Sequence, residues 1–193
     1  MKIGIYGGSF NPVHFGHVGL AKWVIENTDL DELWLLVSPN NPLKPAGLLA
    51  PEEERLAAVQ EAIQDIPHVL ASDFEFSLPR PSYTANTLRE LQKKFPEHEF
   101  TLVIGEDNLA IFDQWKEYEY ILANYRIFVY PRNLSGEAGL SVKNEVNRAL
   151  AAEKRSFSET VFQAKPVKEI RYLSEAPAFD ISSTAIRRSQ GRL

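Results

Sequence analysis

Short apolar runs alternate along the chain with longer segments in which apolar residues recur every three or four positions. The runs Ile3–Tyr6, Glu32–Val37, Val69–Ser72, Phe100–Ile104 and Arg126–Tyr130 are rich in β-branched and aromatic residues and predict strands. Between them, His17–Asn27 places Val18, Ala21, Val24 and Ile25 on one face. Pro51–Ile66 opens with proline and three glutamates, a favourable first turn, and repeats Leu56, Val59, Ile63 and Ile66. Thr84–Phe95 repeats Leu88, Leu91 and Phe95. These three segments predict helices. Strands that are apolar on both faces and alternate with helices predict a parallel sheet covered on its faces by helices.

Two stretches interrupt the rhythm. Ser38–Leu49 carries three prolines and a glycine and must be a loop. The polar stretch at about 134–165, helix-prone between Lys143 and Glu153, is expected to be a variable surface segment of a single domain spanning 1–193. In open parallel sheets ligands bind beyond the carboxyl ends of the strands. Attention therefore falls on the loops Gly7–Gly16, Ser38–Leu49, Asp73–Ser82 and Gly105–Asp107.

Composition narrows the chemistry. With 44% apolar and 24% charged residues the chain is ordinary for a globular protein. A net charge of −5 gives no basic field, so no nucleic-acid partner is expected, while a local pocket could still hold a small anion. There is no cysteine, which excludes thiolate chemistry, disulfides and cysteine-ligated metals, and fits a reducing compartment. The N-terminal apolar stretch is too short for a signal peptide, and nowhere do eighteen apolar residues run together. A cytoplasmic protein with no membrane partner is expected, and self-association into a homo-oligomer is compatible with the sequence.

The first loop reads GGSFNPVHFGH. Gly7, Gly8, Ser9 and Phe10 follow the first strand, where backbone N–H groups can approach a ligand closely. Asn11-Pro12 marks a turn, and His14-Phe15-Gly16-His17 leads into the first helix, whose start carries unpaired donors and a partial positive charge suited to phosphate. Two histidines at this spacing could instead begin a zinc site, although only four histidines occur in the chain. Gly4, Gly7 and Gly8 do not match the dinucleotide-binding pattern G-x-G-x-x-G. Near the C-terminus, FDISSTAIRR sets Ser182, Ser183 and Thr184 at a helix start, with Arg187 on the same helical face as Ser183 and Thr184. Hydroxyls and a guanidinium on one face suit phosphate oxygens, although a plain capped surface helix would look alike in isolation.

Taken together, these two strings resemble the signature of the H-x-G-H nucleotidyltransferases, and in particular that of the bacterial nicotinate-nucleotide adenylyltransferases. The resemblance implies an α/β fold, a Rossmann-like doubly wound parallel sheet flanked by helices. It also implies adenylyl transfer from ATP to nicotinate mononucleotide, giving deamido-NAD and pyrophosphate. Mg²⁺ is then the implied cofactor, held mainly by substrate phosphates rather than by protein ligands. Catalytic roles fall on His14, His17, Lys44 and Arg187. ATP contacts fall on Gly8, Ser9, Phe10, His14, His17, Gly105, Asp107, Ser182, Ser183, Thr184 and Arg187. Contacts to nicotinate mononucleotide fall on Ser9, Lys44, Tyr83, Thr84 and Trp115. Arg55, in EEERL, is expected to form an ion pair on a helix face, with a reach into the site as the alternative. Departures from the resemblance are Asn86, where an aspartate is usual, and a chain that stops soon after Arg187. Alternative readings are a transferase acting on nicotinamide mononucleotide or phosphopantetheine, and a non-catalytic nucleotide-binding regulator.

Overall fold

The structure, a computed structural model, describes residues 1–39, 49–132, 167–179 and 183–189. Six parallel strands form one sheet: β1 (Lys2–Gly8), β2 (Glu32–Val37), β3 (Val69–Ser72), β4 (Glu99–Gly105), β5 (Arg126–Tyr130) and β6 (Glu169–Tyr172). Their spatial order is β3-β2-β1-β4-β5-β6. The register pairs Gly8 with Val37 on one side of β1, and Gly105 with Tyr130 on the far side of β4. Strand order reverses between β1 and β4, and the crevice beyond their carboxyl ends is where such a sheet holds a ligand.

Described helices are α1 (Phe15–Asn27), α2 (Glu52–Ile63), α3 (Thr84–Lys94), the single turn α4 (Glu106–Leu109), α5 (Tyr118–Asn124) and α6 (Ser183–Ser189). Strand residues alternate between two cores. Ile3, Ile5, Phe100, Leu102 and Ile127 pack with Leu88 and Leu91 of α3 and Ile121 of α5. Leu33, Leu35, Val103 and Phe128 pack on the other face with Leu20 and Val24 of α1 and Val59 and Ile63 of α2. The expected parallel sheet covered on both faces is therefore the observed one.

All five strands read from the sequence are present, β1 and β4 extending beyond both predicted ends, and the helix boundaries also move. The first helix starts at Phe15 rather than at His17, so Gly16 lies within its first turn and is buried. The second ends at Ile63, with Ile66 outside it, and the third ends at Lys94. Not read were the single turn α4, α5, and the strand β6, whose residues EIRY alternate between exposed and half-buried. The segment at about 134–165 lies outside the described residues.

At the amino ends of the strands, opposite the crevice, Arg126 bridges Asp29 at 2.8 Å and Glu169 at 3.1 Å, tying β6 into the sheet. Hydrogen bonds from Arg126 and Lys2 hold the Asp29 carboxyl well below the usual carboxylate range.

Candidate active site

β1 delivers Gly7, Gly8 and Ser9 to the reversal point of the sheet. Phe10 then takes a φ of 44°, a left-handed conformation that is unfavourable for a bulky side chain, and its ring is buried. Packing holds it there. The ring meets Tyr6 edge-on at 5.7 Å and His17 at 5.0 Å, and it lies over Gly8. A Cβ at Gly8 would come to 3.0 Å from that ring, which would have to shift by a few tenths of an ångström to admit it.

His14 precedes α1 as its N-cap, and its backbone N–H donates to Nδ1 of His17 at 3.2 Å. That bond leaves the proton of a neutral His17 imidazole on Nε2, where it is a donor. The two rings stack 3.7 Å apart. Both ring nitrogens of His14 are buried without a hydrogen-bond partner among the described residues. Burial, aided by the Arg132 guanidinium, lowers the His14 pKa to about 4. His14 therefore faces the crevice as an uncharged ring at neutral pH.

The far end of the chain returns to this loop. Ser183 Oγ donates to the Pro12 carbonyl at 2.9 Å, and Arg187 Nη1 donates to the Asn11 carbonyl. Residues more than 170 positions apart in sequence are thereby joined directly at the first loop. Phe179 closes on the same side, its ring against Gly19 of α1 and 5.7 Å from Phe15.

A cavity of about 440 Å³ opens at the carboxyl ends of β1 and β4. Its volume lies within the range of small-molecule and cofactor sites. Gly8, Ser9, Phe10, His14, His17 and Ser183 line one end. Along the β4 side lie Gly105 and Asp107, the latter bridged to Arg132 at 2.7 Å. A Cβ at Gly105 would collide with the Asp107 carboxylate, so glycine admits that side chain to the cavity wall. The Arg132 backbone N–H donates to buried Glu106 at 3.0 Å, which fixes the pair from behind.

The opposite end is aromatic and apolar, with Tyr83, Thr84, Trp115 and Lys116 at its rim and Glu75 and Thr87 beneath. Thr87 Oγ1 donates to Glu75 Oε1 at 2.7 Å. Burial pushes the Glu75 pKa up, opposed in part by that hydroxyl. Trp115 Nε1 is buried and lacks a partner among the described residues. With both His14 ring nitrogens and Asp107 Oδ1 likewise orphaned, the cavity presents buried polar atoms that a polar ligand would satisfy.

Most residues singled out from the sequence thus line a single cavity: Gly8, Ser9, Phe10, His14, His17, Gly105, Asp107, Tyr83, Thr84, Trp115 and Ser183. Arg187 instead reaches the first loop at Asn11. Lys44, Ser182 and the side chain of Thr184 lie outside the described residues.

Arg55 corrects the expectation of a helix-face ion pair. It is buried, and its guanidinium donates to the carbonyls of Ser9 at 2.6 Å, Ser38 at 2.9 Å and Ala50 at 2.9 Å, with Pro39 at 3.4 Å. It joins the first loop to both flanks of the segment that contains Lys44. Asn86 accepts from Arg89 at 3.0 Å and is not among the residues lining the cavity.

Glu75, Lys116 and Arg132 were missed. Arg132 carried a usable signal, because it stands in the loop directly after β5. Among the described residues no group of three or more His, Asp or Glu gathers as a metal site, so His14 and His17 gain no third ligand for zinc. Among the same residues no helix is long and apolar enough to cross a membrane.

Comparison with known proteins agrees with this geometry. The cytidylyltransferase-like family model matches residues 5–189. A protein of Cytophaga hutchinsonii named as a probable nicotinate-nucleotide adenylyltransferase is 47% identical over 175 residues, covering 90% of this chain and 91% of its own. One of the same name from Bacteroides fragilis is 44% identical over 186 residues, covering 96% of this chain and 80% of its own. Among solved structures, the nicotinic acid mononucleotide adenylyltransferase of Plasmodium falciparum complexed with NaAD superposes with a TM-score of 0.71. At 17% identity, over 97% of this chain and 82% of that one, the match is one of fold.

Proposed function

From the premise that this chain belongs to the cytidylyltransferase-like family, and within it to the nicotinate-nucleotide adenylyltransferases, we propose how its cavity performs adenylyl transfer in NAD biosynthesis. A phosphate oxygen of nicotinate mononucleotide attacks the α-phosphorus of ATP. The new O–P bond forms as the bond to the β-phosphate bridging oxygen breaks, and pyrophosphate leaves with the electron pair. The products are deamido-NAD and pyrophosphate.

The attacking oxygen is already anionic at neutral pH, so no general base is needed. The demand is for alignment of two mutually repelling anions and for donors at the leaving group. His17 supplies an Nε2–H donor whose tautomer is set by the His14 backbone bond. His14, uncharged, supplies a second imidazole in stacking contact with it. Gly8, Ser9 and Phe10 bring backbone N–H groups to the phosphates. Ser183 and Arg187 hold the loop in place, and on ATP binding the Arg187 fork meets the phosphates, with Lys44, Ser182 and Thr184 as further donors. Gly105 and Asp107 take the ATP ribose. Ser9, Lys44, Tyr83, Thr84 and Trp115 take the acceptor, its ring against Trp115. Mg²⁺, held mainly by the substrate phosphates, would neutralise charge on the triphosphate and on the departing pyrophosphate. The lack of cysteine accords with a cytoplasmic location.

The observation that carries this reading is the convergence of His14, His17 and Ser183, from opposite ends of the chain, on one cavity whose other end is aromatic. The test is pyrophosphate release with ATP, Mg²⁺ and each candidate acceptor. Turnover is expected with nicotinate mononucleotide, and release only with phosphopantetheine, or none at all, would refute the reading.

A further inference from the structure

Among the described residues, two cationic side chains line the cavity, and they differ in one respect. Arg132 is neutralised by Asp107 at 2.7 Å on the side where the ATP ribose is placed. Lys116 pairs with no carboxylate among the described residues; its ammonium rests over the Tyr83 ring at 4.5 Å. Lys116 adjoins Trp115 in sequence, and Tyr83 adjoins Thr84, so the ammonium and the ring meet across the aromatic end of the cavity. An exposed cation on a tyrosine face is held weakly and gives up little by moving to an anion.

We propose that Lys116 is a specificity-determining residue that selects an acceptor ring bearing a carboxylate over the same ring bearing an amide. This rests on the acceptor assignment made above. A mononucleotide whose ring lies against Trp115 would bring its ring substituent to the rim that Lys116 and Tyr83 span. A carboxylate there gains the ammonium as counter-ion, whereas an amide gains no charge pairing and presents its own N–H donors to a cation. Among the described residues, Glu75 is the acidic group lining this end, and its burial favours the uncharged acid, which lessens its repulsion of an anionic ring. The phosphate of the acceptor cannot account for selection, because both acceptors carry it.

The experiment compares the wild type with Lys116→Met and Lys116→Arg, measuring kcat and KM for nicotinate mononucleotide and nicotinamide mononucleotide at saturating ATP. The Lys116 side chain is solvent-exposed, so the fold should persist, and an unchanged urea midpoint checks this. Lys116→Met is expected to lower kcat/KM for the acid about tenfold through KM, to leave the amide within about twofold, and to make the acid less sensitive to salt. Lys116→Arg should restore most of the preference. An equal fall for both acceptors would overturn the proposal by placing Lys116 on a shared group, and an unchanged ratio would overturn it outright. Wild-type protein that turns over neither acceptor would instead refute the underlying acceptor assignment, and the proposal with it.

Discussion

Replacing Arg55 separates two views of one residue by their magnitudes. On a helix face beside glutamates, an arginine contributes ~0–1 kcal/mol, because exposed ion pairs are worth little. In the structure its guanidinium is buried and makes three short bonds, to Ser9, Ser38 and Ala50, all with carbonyl acceptors. Hydrogen bonds to a charged group are worth about 1.5–3 kcal/mol each, and the cost of burying the cation offsets part of the sum. Removing the side chain also strands those carbonyls. The net expectation for Arg55→Met is a loss of about 3–5 kcal/mol. For a chain of this length that corresponds to roughly 10 °C in Tm, using about 2–4 °C per kcal/mol.

Urea unfolding followed by circular dichroism, with the slope held common, measures the loss. Arg55→Lys keeps the charge without the planar fork and should recover less than half of it. Because the same guanidinium fixes the Ser9 carbonyl, the KM for ATP should rise in whatever fraction of Arg55→Met remains folded. A destabilisation below about 1 kcal/mol would refute the reasoning and return Arg55 to the surface.

Three further outcomes are expected. His17→Ala should lower kcat by ~10²–10³ with the urea midpoint nearly unchanged, and near-normal turnover would count against its role as a donor. In the pH profile of kcat/KM for ATP, which reports the free enzyme, the limb belonging to His14 should fall near pH 4. A limb near pH 6.5 that vanishes in His14→Asn would contradict the lowered value. Lowering the folded-state pKa also means that the unfolded chain binds the extra proton first, so His14 makes stability fall as pH drops from about 6.5 towards 4. Gly4→Ala should cost about 1–2 kcal/mol, since its Cβ would come within 2.7 Å of Leu30 and Leu33 in the core; a rise in the thermal midpoint would contradict this.

The sheet and the first loop were legible because their signals are local. Strands β1, β2, β4 and β5 are continuous apolar runs, and the histidine loop is a contiguous string whose parts fold together. β6 gave no such run, for it is four residues long and, among the described residues, pairs on one side only, with half its positions exposed. Arg55 was misjudged for a physical reason: its neighbours Glu52, Glu53 and Glu54 suggest a solvated face, whereas its partners are backbone carbonyls that no residue pattern displays. Glu75 and Lys116 were invisible for the same reason, since their environment is made by α3 and by the turn after α4, elements far from each other in sequence.

Whether the two ends of the chain serve one polyphosphate is tested most directly by a crystal structure with a non-hydrolysable ATP analogue and Mg²⁺. His17 Nε2 and the Arg187 guanidinium should both lie within hydrogen-bonding distance of its phosphate oxygens. A triphosphate bound elsewhere, with Arg187 still on the Asn11 carbonyl and His17 remote from any phosphate, would contradict the account.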